Sequence, residues 1–422
     1  MDALTAAGAT AVGCLVGMAT GLVPGLHVNT LCAVGLSLAP GMGPTLAVGL
    51  CAMAVAHGFA SHLPSTYLGA PGEDTLLSAM PAHRMLLAGK GLDAVQVSLD
   101  GALAGLVLAV ALLLPYKWVL GEPGGLLDAL DGLMAWVLAT VLVFLLARET
   151  RRGLRSFLWA VVVLALAAIL GLVAGRIEVA ALVPVPASAL LPLLSGLFGA
   201  PALLETLRSH PEVPPQEPAR PPPTAVRRRC RRGIVSGVLA AAMTSVLPGM
   251  TSAIAATAAR AGASDRAEHD PRPVLATLGA IGLAQVVLAF GVLWLSLRAR
   301  SGLAAAVQQV WAAEAWTLGA PPVALRWLLV AALGSGVVAH LGVAAMAGPV
   351  ALWMGRASPR WLSASALAIV VALVALLSGL PGLAIFVTAT AVGLVPAATG
   401  TSRIHLTGCL LVPVLFYRLG WA

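Results

Sequence analysis

Charge is what this chain has least of. Of 422 residues only 10% are Asp, Glu, Lys or Arg, against about 25% in a soluble domain. So few charges cannot cover a water-facing surface, which excludes a soluble globular protein. The same composition is expected in lipid, where the outside faces hydrocarbon. Cysteine is also sparse. Cys14, Cys32, Cys51, Cys230 and Cys409 show no CxxC spacing, which excludes a disulfide framework or a cysteine-held metal. Those in apolar runs read as packing residues. The chain has no Walker A, HExxH or GxSxG motif. A nucleotide-driven pump, a zinc hydrolase and a serine esterase therefore lack their hardware, and no enzyme activity and no cofactor are expected. The N-terminus has no basic n-region and no cleavage site; Met1 to Thr5 runs straight into apolar sequence, read as a first membrane segment, not a removable signal.

What is present is apolar. Hydrophobic residues make up 59%, with Gly 45 and Pro 29 inside long Leu/Val/Ala runs, where they allow close helix packing and local breaks. Apolar segments recur from 7–40 through to 382–420, roughly ten to twelve membrane segments at about 20 residues each. The expected fold is all-α, a multi-pass integral membrane protein. The net charge of +8 does not point to nucleic acid. Basic residues cluster in short loops between spans, as the positive-inside rule requires.

One stretch differs. From Leu207 to Arg232 the chain is Pro-rich, charged and nearly free of aliphatics. It divides the sequence into an N-terminal membrane repeat (1–206), a linker (207–232) and a C-terminal repeat (233–422). Such a composition cannot bury a core, so 208–230 is expected to be poorly ordered and cytoplasmic. Arg227–Arg232 reads as a topology anchor or as a contact for anionic lipid headgroups. His83, Arg84, Lys90, Arg148, Arg151, Arg152 and Arg155 fall on the linker's side, and Glu122, Asp128 and Asp131 on the other. The arginines of the second half, including Arg298 and Arg300, do not sort by side.

The halves look alike. Thr20–Leu36 reads TGLVPGLHVNTLCAVGL, and Thr244–Arg260 reads TSVLPGMTSAIAATAAR. In each, an apolar run meets Pro-Gly, then small polar residues, then another apolar run. This is the pattern of a duplicated unit whose helices are broken at Pro-Gly. Proline removes a backbone donor and glycine relaxes the chain. A helix restarting after the break turns its positive end into whatever cavity satisfies the freed groups. Pro24 and Gly25 precede His27, Asn29 and Thr30; Pro248 and Gly249 precede Thr251 and Ser252. These residues are candidates for holding an anion, although a break that only improves packing would leave the same trace. Ser65 and Thr66, small donors beside Pro64, are further candidates. His62 reads as structural. Arg403, in the break Gly393–Pro413, suits a carboxylate or phosphate, or else lies at the membrane surface.

At these motifs the sequence resembles the permease family of tripartite tricarboxylate transporters, their large membrane subunit, and is most similar to its shorter archaeal members. The resemblance rests on GLVPGLHVNT, YLGAPGEDTLLSAMPAHRMLLAGKGLDAV, LPGMTSAIAA, LATLGAIGLAQ with RARSGLAAAV, and GTSRIHLTG, in family order along the chain. It implies a cell-membrane carrier of di- or tricarboxylate-like organic anions driven by a Na⁺ or proton gradient. It also implies a small membrane subunit and an extracytoplasmic solute-binding protein as partners, besides membrane lipids. Two other readings stay open, a carrier of lipid-linked phosphate such as a polyprenyl phosphate, and a non-transporting membrane scaffold.

Overall fold

The computed structural model describes residues 1–23, 26–39, 41–68, 79–183, 187–209, 214–247, 252–260, 270–317, 319–356 and 359–421. Among these there is no strand. The helices are, in chain order, α1 (Ala3–Gly21), α2 (Val28–Leu38), α3 (Gly43–Ala60), α4 (His62–Tyr67), α5 (Ala79–Leu87), α6 (Gly91–Leu120), α7 (Leu126–Thr150) and α8 (Leu154–Ala174). They continue with α9 (Leu190–Leu194), α10 (Ala200–Ser209), α11 (Thr224–Ser245), α12 (Ser252–Arg260), α13 (Arg272–Ser296), α14 (Gly302–Val310), α15 (Val323–Arg356), α16 (Pro359–Thr399) and α17 (Gly408–Leu419). A π-helical turn, Ser195–Gly199, joins α9 to α10, and a 3-10 turn, Arg403–Thr407, leads into α17.

Among the described residues nine helical stretches are long and apolar enough to cross a membrane. One feature brings this into line with the sequence expectation. α16 is not one rod: Gly379 has φ 61 and ψ −161, a conformation open to glycine but costly for other residues, so two arms meet there. With both arms of α16 counted separately, the nine become ten. α11 is not among them, because its first turns carry Arg227–Arg232.

Both Pro-Gly dipeptides lie outside the described residues, but their flanks do not. α1 stops at Gly21 and α2 starts at Val28; α11 stops at Ser245 and α12 starts at Ser252. Each half thus runs long helix, interruption, short helix, long helix, and in each the third helix packs along the first.

This packing uses backbone more than side chains. Gly13, Gly17 and Gly21 form a stripe on α1 at four-residue spacing. A methyl at any of them would overlap the backbone oxygen of Gly49, Met53 or His57 on α3. On α11, Gly233 and Gly237 face Thr277 of α13, and on α6, Gly101 and Gly105 face the backbone of Ala276 and Ala280. Lipid tails are as apolar as leucine, so membrane helices gain by close approach, and small residues permit it. The central core joins α3 and α6 from the first half to α13 and α15 from the second. α3, α13 and the stretch Leu190–Arg208 are the most enclosed, while most of α1, α7 and α8 faces outward.

The Pro-rich segment departs from the loose linker expected. Residues 214–223 run extended and are tied to the first half. The Gln216 side chain accepts from the Gly91 N–H at 2.7 Å and donates to the Leu86 carbonyl at 3.1 Å. The Glu217 N–H donates to the Gly89 carbonyl at 2.8 Å, and the Arg220 N–H to the Asp93 carboxylate at 2.7 Å. The basic run does not lie in a loop but is already helical in α11. Proline keeps the strap from pairing with itself, so the Gln216 amide and the Glu217 and Arg220 N–H groups meet partners at the end of α5 and the start of α6. Low hydrophobicity therefore did not prevent docking through the backbone.

Candidate functional site

α2 begins at Val28 because His27 caps it: the His27 Nδ1 accepts from the Asn29 N–H at 3.1 Å. α14 begins at Gly302 because Ser301 caps it, its hydroxyl accepting from the Ala304 N–H at 3.2 Å. The two N-termini meet, and a methyl on Gly302 would overlap the Asn29 side-chain amide. Positive helix ends that abut repel each other unless negative charge or a polar group lies between them.

Beside this meeting point lies a cavity of about 280 Å³. His27, Asn29, Ser61 and His62 reach it from the first half, and Thr244, Ser245, Gln285, Arg300 and Ser301 from the second. Its remaining walls are Gly, Ala, Val and Leu. The polar groups are held in place by one another. The Gln285 amide donates to the Thr244 hydroxyl at 3.0 Å. Ser245 and the Tyr116 hydroxyl lie 2.8 Å apart, and the Tyr116 hydroxyl donates to the Ala242 carbonyl at 2.8 Å. These fix the last turn of α11, just ahead of the second interruption. Among the described residues no Asp or Glu lines the cavity. It therefore offers neutral donors, two helix ends and one guanidinium.

The sequence candidates separate into groups. His27 and Asn29 line the cavity; Thr30, one residue on, is buried but does not. Pro24, Gly25, Pro248, Gly249 and Thr251 lie outside the described residues, and Ser252 is placed only as the first residue of α12. Ser65 and Thr66 are buried away from the cavity. The Ser65 hydroxyl has no hydrogen-bond partner among the described residues, and the Thr66 carbonyl lies 3.2 Å from the His83 Nδ1. Arg403 is not brought to the cavity. Its guanidinium is paired with Glu205 of α10, so a carboxylate of this chain already occupies it. Nearby, Glu149 accepts from the Ser402 N–H at 3.1 Å and lies 3.6 Å from the His405 Nε2, which ties the last break to the end of α7.

Seven polar lining residues, Ser61, His62, Thr244, Ser245, Gln285, Arg300 and Ser301, escaped the sequence reading as site residues. Gln285 is the lone amide in the apolar run IGLAQVVLAF, and a polar residue at membrane depth is a signal in itself. Arg300 stands directly before the Ser-Gly that starts α14, a helix-start signature. Ser61 and His62 sit at the α3–α4 junction, where His62, read as structural, reaches the cavity wall.

Comparisons with known proteins agree with the architecture. A 100-residue stretch is 32% identical to the uncharacterized protein MJ1079 of Methanocaldococcus jannaschii, covering 24% of this chain and 25% of that protein. The match thus spans about a quarter of the relative's length. No solved structure matches the chain. The family model of the tripartite tricarboxylate transporter TctA family matches residues 8–408, nearly the entire chain. With its helices of spanning length and its cavity between the two halves, this multi-pass membrane protein belongs to the tripartite tricarboxylate transporter TctA family.

Proposed function

We propose that the chain is a secondary permease that carries an organic anion of di- or tricarboxylate type, and that the cavity beside α2 and α14 holds the cargo. One observation carries this reading: a chamber walled from both halves contains an arginine and several neutral donors but, among the described residues, no carboxylate. A cation would find no counter-charge there. An anion would find the N-terminal ends of α2 and α14, each contributing about 0.3–2 kcal/mol. The hydroxyl and amide donors add to this, toward the roughly 4–8 kcal/mol of a millimolar-to-micromolar site. The shared order of elements in α1–α3 and α11–α13 supports a duplicated unit with its site where the copies meet. The protein would work in a prokaryotic cell membrane with a small membrane subunit and an extracytoplasmic solute-binding protein, the other parts of a tripartite system. A Na⁺ or proton gradient would drive it.

The test is uptake of labelled citrate, succinate, acetate and phosphate by proteoliposomes under imposed Na⁺ or proton gradients, with and without the partner subunits. Gradient-dependent accumulation of a carboxylate is expected. Absence of any carboxylate uptake with the partners present would overturn the reading.

A further inference from the structure

Arg300 is the cavity residue whose chemistry is least complete. Its side chain is 5% exposed. One Nη lies 3.2 Å from an oxygen of Asp131 on α7, while its Nε is buried with no hydrogen-bond partner among the described residues. Asp131 is shared. Arg298 reaches its other oxygen at 2.8 Å, and Arg418 of α17 reaches the first at 3.1 Å. Three guanidinium groups on one carboxylate leave two positive charges uncompensated. A buried guanidinium with an unused donor is costly unless something completes it, and this one stands in the wall of the chamber.

Building on the transport reading above, we propose that Arg300 selects the cargo by its charge. In this scheme the Arg300 guanidinium, turning in the chamber wall, grips one carboxylate of an anion bearing two or more negative charges, and Asp131 is its resident counter-ion. The guanidinium edge presents coplanar N–H groups that match the two oxygens of a carboxylate. Asp131 already takes one Nη, which leaves donor capacity on a guanidinium that lines the chamber. The positive surplus attracts an anion of two or more charges more strongly than a monoanion. The aliphatic walls formed by Leu278, Leu283, Val286 and Leu303 suit the carbon skeleton between the charged ends. Asn29, against Gly302, is placed to meet a second oxyanion group at the paired helix ends.

The test is equilibrium binding of labelled citrate, succinate, acetate and inorganic phosphate to the full chain in lipid nanodiscs, with thermal melting as a check on folding. Wild type is expected to bind citrate and succinate at least tenfold more tightly than acetate. Arg300→Gln should weaken citrate binding by about tenfold or more. Arg300→Lys, which keeps the charge and loses the fork, should weaken it by about threefold or more. Arg326→Gln, an equal loss of charge on the exposed start of α15, should stay within about twofold. Citrate binding unchanged in folded Arg300→Gln overturns the role of Arg300 and leaves the transport reading standing. If that variant does not fold, unchanged citrate affinity in Arg300→Lys does the same. Phosphate bound in preference to citrate overturns the carboxylate class. Wild type that binds no carboxylate overturns this assignment and the transport reading together.

Discussion

The first three helices of the two halves follow one plan with different materials. In α1–α3 three glycines lay α1 against the α3 backbone, and α1 otherwise faces outward. In α11–α13 two glycines face Thr277, and the start of α11 is arginine-rich. The contact at Gly237 is looser, with the nearest backbone oxygen 2.9 Å from an added methyl. The contributions to the cavity differ as well. The first half supplies a restarting helix with His27 and Asn29; the second supplies the turn before its interruption, with Thr244 and Ser245, and the lone cation Arg300. A shared plan thus does not impose shared chemistry, and the positive pole of the chamber lies on one side.

The largest test of that contrast is steric. Gly17→Val should drive α1 off α3 at the Met53 carbonyl and cost about 1–3 kcal/mol or more, visible as lost folded yield and a lowered Tm in detergent. Gly237→Val should cost less, and Gly8→Ala, where an added methyl meets nothing, should be neutral. Equal damage at Gly17 and Gly237 would erase the distinction between the halves. Next comes the division of the cavity. Asn29→Ala and Gln285→Leu each remove one donor from opposite halves. Each should reduce carboxylate uptake by about tenfold, near 1.4 kcal/mol, at normal expression. An effect confined to one half would mean that the cargo is not shared between them.

The strap offers a smaller effect. Gln216→Ala removes hydrogen bonds to Gly91 and Leu86, worth about 0.5–1.5 kcal/mol each. Faster tryptic cleavage at Lys90, the exposed residue beside the released Gly91 contact, with little change in uptake is expected. The smallest lies at the entry to α13. Burial of Asp270 acts to raise its carboxyl pKa, but hydrogen bonds from Arg272 outweigh this and hold it below the usual carboxylate range. A depressed folded pKa adds stability that is fully present above the unfolded value, about 3.9. That stability is lost as pH falls through the lower folded value. Wild type should therefore lose Tm faster than Asp270→Asn as pH drops below about 4. Parallel curves would show that the pair adds nothing.

Much of this arrangement could be read from residue order. Apolar runs of spanning length produced the helices, because lipid obliges a chain to pair its own backbone groups. α1 and α11 each stop a few residues ahead of a Pro-Gly dipeptide, and His27 and Asn29 reached the cavity from beyond the first. The strap was not legible: proline and charge described its composition but not the cap carbonyls and amides that would receive it. Arg300 was not legible either. As one of several unsorted arginines it looked like a topology signal, and its partner Asp131 lies far away in sequence on another helix. Arg403 misled for the mirror reason, since its carboxylate, Glu205, belongs to the chain itself.

The glycine stripe on α1 also sets a direction for sequence change. A packed leucine can be shortened, lengthened or exchanged, and its neighbours absorb the difference. Gly13, Gly17 and Gly21 can only grow, and growth meets backbone oxygen, which has no rotamer to yield. Compensation would have to come from displacing a whole helix, so no second substitution nearby can restore the fit. Drift along this seam is therefore expected to be a ratchet with its stop already reached, while the lipid-facing side of the same helix is free to wander among apolar residues.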